Sequence, residues 1–160
     1  METFLPLPVE QVHGFFSDAG NLEHITPPEL RFDIVTRLPV EMSAGTLLDY
    51  RLRLFGVGFR WRTRITVWDP PHRFVDEQLR GPYQQWVHLH TFEPTAGGTR
   101  MVDRVRYQLP LHPLSMPATR LVRHQLHRIF SYRDEAIRDR LGDGSDSSAV
   151  AGGGPGSSLP

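Results

Sequence analysis

Two histidines at alternate positions, in Trp86-Val87-His88-Leu89-His90-Thr91-Phe92, place two imidazoles on one face of an extended segment, about 7 Å apart. Asp76 and Asp103 sit in neighbouring segments of the same alternating kind, so both carboxylates can reach that face. Such a set could hold a divalent metal. It could also do acid–base work, with Asp103 orienting His90, His90 moving protons and Tyr107 donating to a developing enolate. A third role is a hydrogen-bonded His–Asp pair that orients a bound molecule. The spacing fixes no third metal ligand, and no nucleophile motif or phosphate-cradling loop accompanies the pair, so neither a metal nor an organic cofactor is expected.

Composition removes other chemistries. The 160 residues include no cysteine, which excludes zinc fingers and disulfide scaffolds, and no lysine, which excludes Schiff-base catalysis. Eighteen basic residues balance eighteen acidic ones, so no overall field draws the chain to nucleic acid, and no nucleic-acid partner is expected. No apolar run approaches the ~20 residues that span a bilayer. A cytoplasmic protein without stable membrane insertion is the expectation, and no residue pattern names a protein partner.

The histidines need a scaffold, and the hydrophobic pattern supplies one. Residues 142–160 are Gly, Ser, Asp, Ala and Pro apart from isolated Val150 and Leu159, with little to bury, the composition of a disordered tail, which leaves 1–141 as one domain. A short strand over 3–7 precedes a helix opened by Pro8, in which Val9, Val12, Phe15 and Phe16 recur at helical spacing. One more helical turn over 21–25 stops at Pro27 and Pro28. Six extended segments follow at 30–36, 46–54, 59–69, 73–79, 86–93 and 99–109, separated by Gly- and Pro-rich turns short enough to imply an antiparallel meander. After Pro113 and Pro117, Leu121, Val122, Leu126, Ile129, Phe130, Ile137 and Leu141 mark a long amphipathic helix. The class is α+β: a curved seven-stranded antiparallel sheet gripping one long C-terminal helix, with two short helices after the first strand.

Alternation assigns the strand faces. Tyr50, Leu52 and Leu54 oppose Asp49, Arg51 and Arg53; Trp61, Thr63, Ile65 and Val67 oppose Arg60, Arg62 and Arg64. The arginines therefore mark solvent. Phe74, Asp76 and Gln78 share the inward face of the next strand, as do Met101, Asp103 and Tyr107 of the last. A two-residue turn at Gly97-Gly98 sets Phe92 opposite Asp103, whereas a four-residue loop from Thr95 to Gly98 sets His90 opposite Asp103. Both registers turn Trp86, His88, His90 and Phe92 inward. The interior thus collects Tyr50, Asp76, Gln78, His88, His90, Asp103 and Tyr107 among Trp61, Phe74, Trp86, Phe92, Met101 and the helix residue Phe130. An unpaired buried polar group costs roughly 1 to 3 kcal/mol, so this many polar groups in an apolar shell describe a small-molecule pocket.

Several of these stretches together resemble a known superfamily. Asn21-Leu22 with Ile25-Thr26-Pro27, Arg73-Phe74-Val75-Asp76, Gly81-Pro82-Tyr83, Trp86-x-His88-x-His90-x-Phe92, Thr99-x-Met101-x-Asp103 and Ile129-Phe130-x-Tyr132-Arg133 are similar to a bacterial subgroup of the START-related helix-grip superfamily (SRPBCC), which includes polyketide cyclases and lipid-transfer proteins. The resemblance implies a hydrophobic cavity between sheet and last helix that takes lipids, quinones, polyketides or similar molecules. It carries no common catalytic residue. The expected function is carriage or sensing of such a molecule, with a cofactor-free cyclase or dehydratase using His90, Asp103 and Tyr107 as the alternative.

Overall fold

The computed structural model describes residues 1–54, 56–110 and 116–141; the expected tail, 142–160, lies outside them. In chain order the elements are β1 (Glu2–Leu5), α1 (Val9–Ser17), a 3-10 helix (Ala19–Ile25), a 3-10 turn (Pro28–Leu30), β2 (Asp33–Ile34), β3 (Leu47–Leu54), β4 (Val57–Asp69), β5 (Arg73–Arg80), β6 (Gln85–Thr95), β7 (Gly98–Gln108) and α2 (Met116–Leu141). The seven strands form one antiparallel sheet in the order β1-β7-β6-β5-β4-β3-β2. β2 to β7 are a simple meander, and β1 closes onto the β7 edge. This is the helix-grip arrangement expected from the alternation of strands and the single long helix.

Local chemistry sets the strand ends. β1 stops at Leu5 because Pro6 and Pro8 cannot donate to a ladder. β2 shrinks to two residues, shorter than the seven expected, because Leu30 ends a 3-10 turn and Arg31 follows in the left-handed region at φ 43°, so the chain is extended only from Asp33. In the β6–β7 hairpin Thr95 pairs with Gly98, leaving Ala96 and Gly97 as the turn, and Gly97 takes φ 87°, a conformation glycine enters without steric cost. That turn selects the second of the two registers and puts His90 opposite Asp103. Gly98 serves a different purpose: a Cβ there would lie 2.2 Å from the Leu5 carbonyl oxygen, so β1 can close against β7 only over a residue without a side chain.

Two expectations fail locally. The β4–β5 ladder jumps from Ile65–Asp76 to Val67–Val75, a bulge that reverses face parity. Val67 consequently points outward, and Trp68 turns in against His13 and Phe74. On α2, Leu126 and Ile137 are buried and Ile129 and Phe130 half-buried as expected, but Leu121 is 56% exposed. At 100° per residue Leu121 lies about 140° from the centre of the stripe formed by Leu126, Ile129, Phe130 and Ile137.

The interior divides in two. At the β1 end, α1 lays Val9, Val12 and Phe16 over Leu5, Phe74, Phe92 and Met101, with Ile137 of α2 closing the cluster. At the β2 end a smaller cluster of Leu30, Leu52, Leu54 and Trp61 packs beside Ile129. Side chains hold α2 in place across the sheet: Thr3 donates to Asp134, and Arg128 pairs with Glu29 of the 3-10 turn.

Candidate functional site

Where β5, β6 and β7 run side by side, cross-strand pairing stacks four polar residues. His88 lies opposite Asp76, and His90 lies opposite Asp103. Each imidazole stands between the two carboxylates. His90 Nε2 is 3.0 Å from Asp76 Oδ2 and hydrogen-bonded to it, and its Nδ1 is 2.7 Å from Asp103 Oδ1. His88 Nδ1 is 3.4 Å from Asp76 Oδ2, and its Nε2 is 3.4 Å from Asp103 Oδ1. The two rings face each other at 3.8 Å between centroids, with Phe74 stacked on His90 at 4.2 Å and Phe130 edge-on to His88. The side chain of Asp103 is fully buried. Its two oxygens, with His88 Nε2 and His90 Nδ1, lie off the line an N–H···O bond needs and have no aligned partner.

Burial and mutual charge pull these groups apart in acidity. Burial alone would raise the Asp103 pKa, but the His90 charge and the contacts of both imidazoles hold it well below the usual carboxylate range. Asp76 is lowered too: burial opposes this, and the charges of His88, His90 and Arg133 overcome it. His88 is pushed down by burial and then by the neighbouring His90. His90 moves the other way. Burial works against its charge, but contacts with both Asp103 and Asp76 raise its pKa. These shifts favour the anionic form of both carboxylates, the charged form of His90 and the neutral form of His88.

Above this cluster lies a cavity of about 160 Å³ between the sheet and α2. Its walls include Leu22, Ile25 and Leu30 from the 3-10 segments, Leu48, Leu52 and Leu54 from β3, and Leu126 and Ile129 from α2. Of the residues expected at a ligand, Tyr50, Trp61, Phe74, Asp76, Trp86, His88 and Phe130 line it, as does His90. Thr63 organises the β3–β4 wall, since its hydroxyl oxygen accepts from Tyr50 Oη at 2.5 Å and from Trp61 Nε1 at 2.9 Å. Burial and the Asp76 charge raise the Tyr50 pKa far above that of an ordinary phenol.

Other expected site residues lie elsewhere. Phe92 and Met101 face inward but belong to the packed cluster under α1. Gln78 folds back on the β5–β6 turn, donating to the Tyr83 carbonyl at 2.6 Å. Asp103 lies beneath the histidines and not on the cavity wall. Tyr107 is corrected: it packs against Tyr83 and Trp86, four residues along β7 from Asp103, away from His90.

Arg133 is the residue that sequence reading missed. It lines the cavity from α2, its Nε is buried without a hydrogen-bond partner, and its guanidinium carbon lies 5.8 Å from the Phe130 ring centre. The signal was its place on the helix, since it falls within the Leu126–Ile129–Phe130–Ile137 stripe.

Comparison with known proteins extends this geometry. Residues 5–130 match the family model described as polyketide cyclase / dehydrase and lipid transport. No curated protein matches the sequence. A crystal structure of a Thermus thermophilus protein superposes with a TM-score of 0.67 at 22% identity over 91% of this chain and 97% of that one. An aromatase/cyclase from a Streptomyces species gives 0.70 at 15% identity over 93% and 95%. A nucleoside-diphosphate sugar epimerase from Corynebacterium glutamicum gives 0.65 at 25% identity, covering 88% of this chain but 28% of that one. The first two likenesses establish the fold.

Proposed function

The chain belongs to the polyketide cyclase / dehydrase and lipid transport family, and from that premise we propose that it binds a small, largely apolar molecule in the cavity between the sheet and α2, as a carrier or sensor. The observation that carries this reading is the lining itself: aliphatic and aromatic walls around Arg133, whose Nε is buried without a hydrogen-bond partner, and the Asp76–His88–His90 floor. Apolar walls with a few fixed polar groups bind a ligand by burial and orient it by hydrogen bonds. Arg133 supplies donors and no acceptor, so the ligand carries an accepting oxygen such as a carbonyl or phenol. A cavity of about 160 Å³ compares with an engineered ~150 Å³ cavity that takes benzene, which favours one or two rings or a short chain over a two-chain lipid.

Displacement of the fluorophore anilinonaphthalene sulfonate tests the reading. Wild-type protein is expected to take up one equivalent saturably, and Ile129→Trp, which fills the cavity from α2, to bind at least ten-fold more weakly while keeping its Tm. No saturable uptake by the wild type, or equal uptake by the filled variant, overturns it.

One feature favours a second reading. His90, raised in pKa and bracketed by two carboxylates, faces the cavity and could move a proton on a bound carbonyl compound, with Arg133 in the role first given to Tyr107. Asp103→Asn separates the two. Carriage predicts a change in ligand affinity of a few-fold, because an amide still hydrogen-bonds. Catalysis predicts that turnover of a polyketide-like ketone falls by roughly 10²-fold or more.

A further inference from the structure

Asp76, His88, His90 and Asp103 form one buried polar group whose contacts converge on single oxygens. Each imidazole turns one nitrogen to the same oxygen, Asp76 Oδ2, and its other nitrogen to the same oxygen of Asp103. One potential ligand atom from each of Asp76, His88 and His90 can be chosen so that all three lie within 4.8 Å of one another. The separations from Asp76 Oδ2, 3.0 Å to His90 Nε2 and 3.4 Å to His88 Nδ1, are those of ligands sharing one ion. With bonds of about 2.0 to 2.1 Å, adjacent ligands stand about 2.8 to 3.0 Å apart in an octahedron and about 3.3 to 3.4 Å apart in a tetrahedron.

Asp103 is the second, independent observation. It is a fully buried carboxylate with both oxygens unaligned to any donor, set against the far nitrogens of both histidines. A carboxylate in that place can fix the tautomer of metal-binding imidazoles once their outer N–H groups turn into line with it, so that the inner nitrogen carries its lone pair toward the ion. Charge agrees, since a divalent cation balances the two carboxylates with both imidazoles neutral.

We infer that Asp76, His88 and His90 form a binding site for a divalent transition-metal ion, oriented from below by Asp103. Two histidines and one carboxylate leave coordination positions open, and all three residues line the cavity, so the open side faces the space above them. This departs from the sequence expectation of no metal because cross-strand register supplies the third ligand that i, i+2 spacing could not. The site stands whether or not the cavity carries an apolar molecule.

The test uses the full chain, stripped with a chelator and titrated with Co²⁺ and Zn²⁺. One equivalent is expected to bind, with a Co²⁺ visible spectrum of nitrogen and oxygen ligation and a rise in Tm. His90→Gln is expected to weaken binding by 100-fold or more, and Asp103→Asn, which removes no ligand, by about 10- to 100-fold. If the variants do not fold, X-ray absorption of the Co²⁺-loaded wild type decides, with two imidazoles in the first shell expected. Sub-stoichiometric binding, binding unchanged in His88→Gln/His90→Gln, or a first shell without two imidazoles would overturn the site. Uptake of the apolar fluorophore by metal-free protein is measured alongside, so a failed metal site and a failed cavity are told apart.

Discussion

Two neighbouring rows on the inner face of β6 and β7 have nearly the same burial and opposite chemistry. Phe92 pairs with Met101 and His90 with Asp103, and all four are 5% exposed or less. The Phe92 row is closed by α1 and packed by Phe16 and Phe74, as an interior optimised for stability should be. The His90 row buries two carboxylates and two imidazoles whose hydrogen bonds are only partly satisfied. Replacing such a network by apolar side chains is often neutral or stabilising, so stability does not explain its presence. The contrast separates the part of the core that holds the fold from the part proposed to serve a ligand.

The largest effect should come from the packed row. Phe92→Ala is expected to lose about 3 to 5 kcal/mol in urea unfolding, because α1 and β5 cannot collapse into the space. In the polar row the sign should depend on how many partners are removed. Asp103→Ala strands a buried charge arrangement and should cost about 3 kcal/mol, whereas joint Asp76→Val, His88→Leu, His90→Leu and Asp103→Val should restore a midpoint near that of the wild type while abolishing metal uptake. A joint variant less stable than Asp103→Ala alone would assign the network to stability.

A smaller effect concerns pH. His13 lies on α1 among Trp68, Phe74 and Phe92, with the Ser17 hydroxyl beside its ring, and burial followed by the charge of His72 lowers its pKa. The folded protein therefore binds this proton less readily than the unfolded chain. The stability so contributed is complete above the ordinary value of 6.5 and is lost as pH falls below it toward the lowered folded value. His13→Phe should flatten Tm against pH over that acidic interval and leave the slope above it unchanged. Smaller still, Leu121→Ala should stay within about 0.5 kcal/mol of wild type, the value for an exposed side chain, against about 2 to 5 kcal/mol for the buried Ile137→Ala. Removal of 142–160 should leave Tm unchanged, and a fall of several degrees would show that this segment packs on the domain.

Particular residues show how far sequence reaches here. Period two turned His88, His90, Asp76 and Asp103 inward, and the hairpin arithmetic offered the register that pairs His90 with Asp103. Alternation assigns a face, however, and says nothing about position along it. Phe92, Met101, Gln78 and Tyr107 point inward in pattern but reach, respectively, the α1 cluster, the same cluster, a turn and an aromatic group with Tyr83 and Trp86, because which part of the face is covered depends on where α1 and α2 cross. Val67 was misassigned because a bulge adds one residue and no side-chain pattern marks it. Arg133 was given no role from sequence, because one arginine among the charged residues of α2 stands out only by its place in the apolar stripe, where its Nε is buried at the cavity wall.

The most direct measurement is native mass spectrometry of the freshly expressed protein, with organic extraction of anything it retains. The account predicts a bound species on the order of 100 to 200 daltons, the size of one or two rings, that is apolar with at least one accepting oxygen, present in the wild type and missing from Ile129→Trp. A spectrum with the mass of the bare chain alone, together with no saturable uptake of one- and two-ring carbonyl compounds, would contradict it.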